Sequence, residues 1–154
     1  MLLITGTGFI FGWAKPVPVD PRNFKNPLQD MAVVALAGPV SNILMAVAWA
    51  LVARLGVTIG AGTEAISHPL IYSGVAGISI NLVLALINLL PIPPLDGSRI
   101  LTGILPNYWA WQYNRLERFG FIILIVLLYT KILNLILEYP LFFFQKVFFS
   151  IAGL

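Results

Sequence analysis

Two long stretches of this chain carry no charged residue at all. One runs from Met31 to Ala53, between Asp30 and Arg54, and the other from Pro69 to Leu95. Each is apolar throughout and long enough to cross about 30 Å of hydrocarbon as a helix. In lipid, a spanning segment has to satisfy its own backbone hydrogen bonds, so helices are the expected form. Composition agrees: 59% of residues are hydrophobic and only 10% charged. Soluble domains carry roughly 25% charged residues. The chain therefore reads as an all-α polytopic membrane protein. The 154 residues are expected to form one membrane domain, 1–154, with lipid as part of its solvent.

A third apolar stretch, Phe119 to Leu137, is interrupted only by Lys131 and is expected to cross as well. Pro140 is expected to end it, leaving Leu141 to Leu154 as an interfacial helix. Met1 to Phe11 is apolar but, at about 16 Å of helical rise, too short to span. It lacks the positive n-region of a cleaved leader and is expected to be the last part of a span. The segment Ser98 to Arg118 mixes arginines with Tyr108, Trp109, Trp111 and Tyr113, aromatics suited to the headgroup level. If the three spans alternate, Lys15, Arg22, Lys25, Arg99, Arg115 and Arg118 share one side. Positive charge gathers on the cytoplasmic side, so the Asp96 end is expected to face the cytoplasm, in the cell membrane. A formal charge of +3 with no basic run gives no reason to expect nucleic acid as a partner. The absence of cysteine excludes disulfides and thiolate metal sites.

Asp96 stands at the end of the second apolar run, directly after Pro91, Pro93 and Pro94. These prolines remove backbone donors and free carbonyls of the preceding turn. In a membrane, such backbone is tolerated where it lines protein or a wet cavity. Two readings of Asp96 stand open on local physics: a metal ligand or proton carrier, or an N-cap for the helix that follows. Asn42, behind Gly38, Pro39 and Ser41 in the first run, has two readings as well. It is a helix-packing polar group or a hydrogen-bond donor at a site. Lys15-Pro16-Val17-Pro18-Val19-Asp20-Pro21 alternates like an edge strand with some donors deleted. It is either a stiff connector or a strand able to receive an extended peptide.

Three pieces together resemble the site-2 protease family of intramembrane zinc metalloproteases. They are Phe11-Gly12-Trp13-Ala14-Lys15-Pro16-Val17, Ala37-Gly38-Pro39-Val40-Ser41-Asn42, and Asn88-Leu89-Leu90-Pro91-Ile92-Pro93-Pro94-Leu95-Asp96-Gly97, and they occur in the family's order. The resemblance implies that Asp96 is a zinc ligand and that Asn42 contacts the substrate or the oxyanion. It implies that Lys15, Pro16, Val17, Pro18 and Val19 bind the substrate, and that Gly38, Pro39, Asn88, Pro91, Pro94 and Gly97 are motif residues. The partners implied are membrane lipid and transmembrane or membrane-associated protein substrates. In the family two histidines of an HExxH helix complete the zinc site and its Glu is the general base. This sequence has no HExxH, and its one histidine, His68, falls in a loop expected on the far side from Asp96. The expected reading is a truncated or inactive form that does not bind zinc tightly by itself. A non-catalytic module that holds transmembrane helices, and an ion-coupled transporter built on the broken helix, are the alternatives.

Overall fold

The structure, a computed structural model, describes residues 24–60 and 63–154. The expected strand at Lys15 to Pro21 and the apolar Met1 to Phe11 lie outside the described residues. Among the described residues the architecture is entirely helical. It comprises α1 (Pro27–Ile59), α2 (Glu64–Leu89), α3 (Asp96–Ile104), α4 (Asn107–Asn114), a 3-10 stretch (Arg115–Phe119), α5 (Gly120–Tyr129) and α6 (Ile132–Ala152).

Pro27 starts α1, where a missing N–H costs nothing, and the Asn26 amide donates to the Asp30 carboxylate at 3.1 Å. The helix then runs past both limits of the uncharged stretch, with Pro39 inside it. The chain returns as α2, which begins at Glu64 and carries Pro69 in its interior. Small residues let the two helices approach closely. A Cβ on Gly74 would meet Ala53 Cβ at 2.5 Å, one on Gly56 would lie 2.8 Å from the Ser67 carbonyl, and Gly77 lies under the Trp49 ring. In this antiparallel register Trp49 faces Gly77 and Ala53 faces Gly74. Carried along the pair, it brings Leu89 level with Gly38, where α2 stops.

α6 is the third long helix. Phe148 and Ala152 join Ala46, Ala50, Ala53, Ile78 and Leu82 in the buried core. Gln145 Nε2 donates to Ser79 Oγ at 3.3 Å. Arg54 Nη1 donates to the Ile151 carbonyl at 2.9 Å, satisfying one orphan acceptor at the end of α6. These contacts run α6 parallel to α1, from the Asp96 end of the bundle toward the Arg54 end. Large apolar side chains such as Val33 and Leu44 on α1 and Phe142 on α6 point outward, as lipid-facing residues should.

Three helices, Pro27–Ile59, Glu64–Leu89 and Ile132–Ala152, are long and apolar enough to cross a membrane. The number matches expectation, but the third lies further along the chain than Phe119–Leu137. That stretch breaks at Thr130–Lys131, where Lys131 adopts left-handed backbone with φ 58°. Pro140 does not end a helix; it sits inside α6. A proline removes one hydrogen bond, whereas unwinding the turn in an apolar setting would strand several polar groups. Phe148 and Ala152, buried against α1 and α2, anchor the later stretch, while α5 buries only Gly120.

Candidate metal centre

Between α2 and α3 the chain passes through Leu90 to Leu95, with a cis peptide between Pro93 and Pro94. The freed acceptors are taken up locally. Leu90 N–H donates to Ile87 O at 3.0 Å, Ile92 N–H to Leu90 O at 2.8 Å, and Leu95 N–H to Ile92 O at 2.9 Å. The Pro91 carbonyl, with no partner of its own in the turn, accepts the Tyr113 hydroxyl from α4. By sequence Tyr113 belongs with the headgroup aromatics. Tyr108, Trp109 and Trp111 are indeed exposed, but Tyr113 turns inward. Burial pushes its phenol above the usual value, which keeps the proton on the donating oxygen. Its role had no sequence signal beyond its place among those aromatics.

Two glycines seat this irregular segment. A Cβ on Gly97 would overlap the Leu89 and Leu90 carbonyl oxygens, and one on Gly120 would overlap the Pro93 carbonyl. The broken backbone is thus covered by protein at Leu89, Leu90 and Pro93. Pro93 and Gly97 are buried, Asn88 is half-buried, and Pro91 and Pro94 are exposed.

Asp96 is the first residue of α3, not its N-cap. Leu95 occupies the cap position, and no side chain caps the helix. The Asp96 carboxylate instead reaches across to α1, where its Oδ2 lies 2.5 Å from the position a Cβ would take on Gly38. Below this contact α3 lies along the start of α1, Gly103 packing on Ala32. Burial raises the Asp96 pKa above the ordinary carboxylate range, and the Arg99 charge one turn on works against that rise. Arg99 itself leans toward Glu117, at 3.7 Å.

Asn42 follows Gly38 by four residues, so it lies one turn deeper on the same face of α1. It is half-buried. The described side chains therefore bring Gly38, Asn42 and Asp96 to one end of the α1–α2 pair, beside Pro39, which is buried. His68 is at the other end. It is exposed on the first turns of α2 and packs against the Tyr72 ring at 5.9 Å. About 32 Å of helix separates it from Leu89. Lys15 to Val19 lie outside the described residues. No three His, Asp or Glu side chains come together around one point among the described residues. Asp96 suits the part of one hard oxygen ligand, half-buried and reachable. It does not make a metal centre alone.

Comparison with known proteins gives the context for that carboxylate. The profile of Peptidase family M50 matches residues 56–130, a range that includes the proline-broken segment and Asp96. Over that range the chain is similar to this family. It is 38% identical over 133 residues to YwhC of Bacillus subtilis, covering 86% of this chain and 59% of that protein. It is 36% identical over 128 residues to a relative from Mycolicibacterium smegmatis, covering 81% of this chain and 44% of the relative. A third relative, from Methanocaldococcus jannaschii, is 32% identical over 95 residues, or 62% of this chain and 44% of its own length. Each carries a zinc metalloprotease name. The chain thus spans between 44% and 59% of the length of these relatives. No solved structure matches.

Proposed function

We propose that this chain supplies the aspartate ligand and part of the substrate-facing wall of an intramembrane zinc metalloprotease, which hydrolyses peptide bonds of membrane-embedded proteins. The observation that carries the reading is the Asp96 carboxylate, set at the start of α3 directly after the proline-broken segment and turned onto the α1 face that bears Asn42. When bound, zinc supplies a polarising charge and an acidified water. The chain's own residues hold and orient. Asp96 offers a fixed carboxylate oxygen, and the Asn42 amide offers a donor one turn away for a substrate carbonyl. The edge-strand pattern of Lys15 to Val19 is the proposed receiver of an extended substrate, through main-chain hydrogen bonds. The excess of Arg99, Arg115 and Arg118 at this end argues for a cytoplasmic site in the cell membrane.

With His68 the one histidine in the sequence, and at the opposite end of α2 from Asp96, both histidine ligands of the proposed site come from outside these 154 residues. Metal analysis tests this directly. The 154-residue chain is expected to purify without tightly held zinc and without peptidase activity. A version extended upstream by an HExxH-bearing segment is expected to hold one zinc per chain and to cleave. Asp96→Asn in the extended version should lower zinc affinity tenfold or more. An extended protein that purifies without zinc contradicts the reading.

The lack of a three-ligand cluster among the described residues favours one second reading, a non-catalytic module that binds transmembrane segments. It predicts capture of such segments that survives Asp96→Asn.

A further inference from the structure

Of the glycines that make close approaches, Gly38 differs in what it approaches. At Gly74, Gly97 and Gly120, an added Cβ would strike backbone atoms or a helix-bound Cβ, which are unable to move without shifting a helix or the broken segment. At Gly56 it would strike the Ser67 carbonyl at 2.8 Å as well as the Ile71 side chain. At Gly38 it would meet the end of one short side chain, with Asp96 Oδ2 at 2.5 Å and Cγ at 3.6 Å, and no other group within contact range among the described residues. Gly38 lies mid-helix, where alanine is the better helix former, and its φ is not in the left-handed region. Neither backbone conformation nor helix packing among the described residues calls for glycine there. The room it leaves is filled by a carboxylate.

We propose that Gly38 is a positioning residue for Asp96: by carrying no side chain it reserves the place of the carboxylate against α1, and so sets where Asp96 Oδ2 points. A methyl group at 38 would stand well inside van der Waals distance of that oxygen. The carboxylate would answer by leaving its rotamer or swinging off α1, while the backbone of α1 and α3 stays where it is. Metal ligands tolerate errors of only about 0.2 Å in distance. A displacement approaching 1 Å at a reactive centre is costly, on the order of a hundredfold in rate. Gly38→Ala should therefore separate the position of Asp96 from the stability of the fold. The positional claim needs only the contact itself; its consequence for zinc rests on the function proposed above.

The chain contains three aspartates, Asp20, Asp30 and Asp96, so a sample labelled with ¹³C at the aspartate carboxyl carbon gives three signals, and Asp96→Asn identifies one of them. In Gly38→Ala the Asp96 signal is expected to move while those of Asp20 and Asp30 stay, with Tm unchanged or raised. In Gly38→Ala combined with Asp96→Ala, Tm should rise further, because the collision is gone. An unmoved Asp96 signal overturns the proposal. So does a Tm that falls equally with and without Asp96, since that would make Gly38 a packing glycine. In the HExxH-extended protein, competition with a chelator should show Gly38→Ala binding zinc at least tenfold more weakly. If Asp96→Asn there leaves zinc affinity untouched, the metal reading fails while a moved carboxyl signal keeps Gly38 in its positioning role. If Asp96→Asn weakens zinc but Gly38→Ala does not, the metal reading stands and the positioning role falls.

Discussion

Asp96 meets two opposing influences within one helical turn. Burial against α1 favours the neutral carboxyl, and Arg99 favours the carboxylate; burial wins, so the folded chain keeps the Asp96 proton to higher pH than the unfolded chain does. The linkage sign follows. Where the folded state binds more protons, stability falls as pH rises. The contribution is fully present below the unfolded pKa and is lost as pH climbs through the raised folded value. Asp96→Asn removes this titration. Measured as the difference in Tm between parent and variant in detergent, the parent should lose ground from about pH 4 upward. The loss should stay below about 1 kcal/mol, because solvent screens a group this exposed. A parent that gains on the variant over that range would show the Arg99 charge and the α3 N-terminus outweighing desolvation.

The segment from Leu90 to Leu95 behaves as a built element. Tyr113 and Gly120 reach it from residues far along the chain, and Gly97 closes it from the next helix. Tyr113→Phe deletes the only described side-chain donor to the Pro91 carbonyl. It should cost about 0.5–1.5 kcal/mol, read as a lower Tm and faster hydrogen exchange at the Leu95 amide. Gly120→Ala puts a methyl group into the Pro93 carbonyl and should cost more, roughly 1–3 kcal/mol as an overpacking change. Lys131 is the reverse case. It holds left-handed backbone as a non-glycine residue, so Lys131→Gly should stabilise by up to about 1 kcal/mol, seen as a raised Tm. How much of this was legible in advance follows from what each feature depends on. α1 and α2 stood out because charge stops at both ends of their runs, which lipid enforces residue by residue. Apolarity alone places the third span too early, because Phe119–Leu137 and Ile132–Ala152 are both apolar. Which of them spans is decided by the burial of Phe148 and Ala152 against two other helices. Asp96 was legible as a polar residue after a proline break. Its neighbour Gly38 was not legible by spacing, since their meeting depends on the register of α1 against α2, which the small residues at Ala53, Gly56, Gly74 and Gly77 set.

Three spans of alternating direction put the two ends of the described bundle on opposite sides of a membrane, and the position of the third span changes where particular residues surface. If α6 crosses, Tyr129 and Lys131 lie at the Asp96 end, and Lys131 adds to the positive charge of Arg99, Arg115 and Arg118 there. If Phe119–Leu137 crossed instead, Tyr129 would sit in mid-membrane. At ten residues α5 rises only about 15 Å, half the hydrocarbon thickness, so it is too short to cross by itself. The contact of Arg54 with the Ile151 carbonyl, and of Gln145 with Ser79, also ties α6 across the depth of the α1–α2 pair. The chain has no cysteine, so single cysteines introduced at Thr63, Asn107, Tyr129 and Leu154 report without interference. A membrane-impermeant thiol reagent added to one side should label Asn107 and Tyr129 together, and added to the other side should label Thr63 and Leu154. In the orientation proposed above from the positive-inside bias, the first pair is the cytoplasmic one. Labelling of Asn107 with Tyr129 protected from both sides would return the third crossing to Phe119–Leu137. α6 would then have to reach its place beside Arg54 without spanning, which its burial against α1 and α2 opposes.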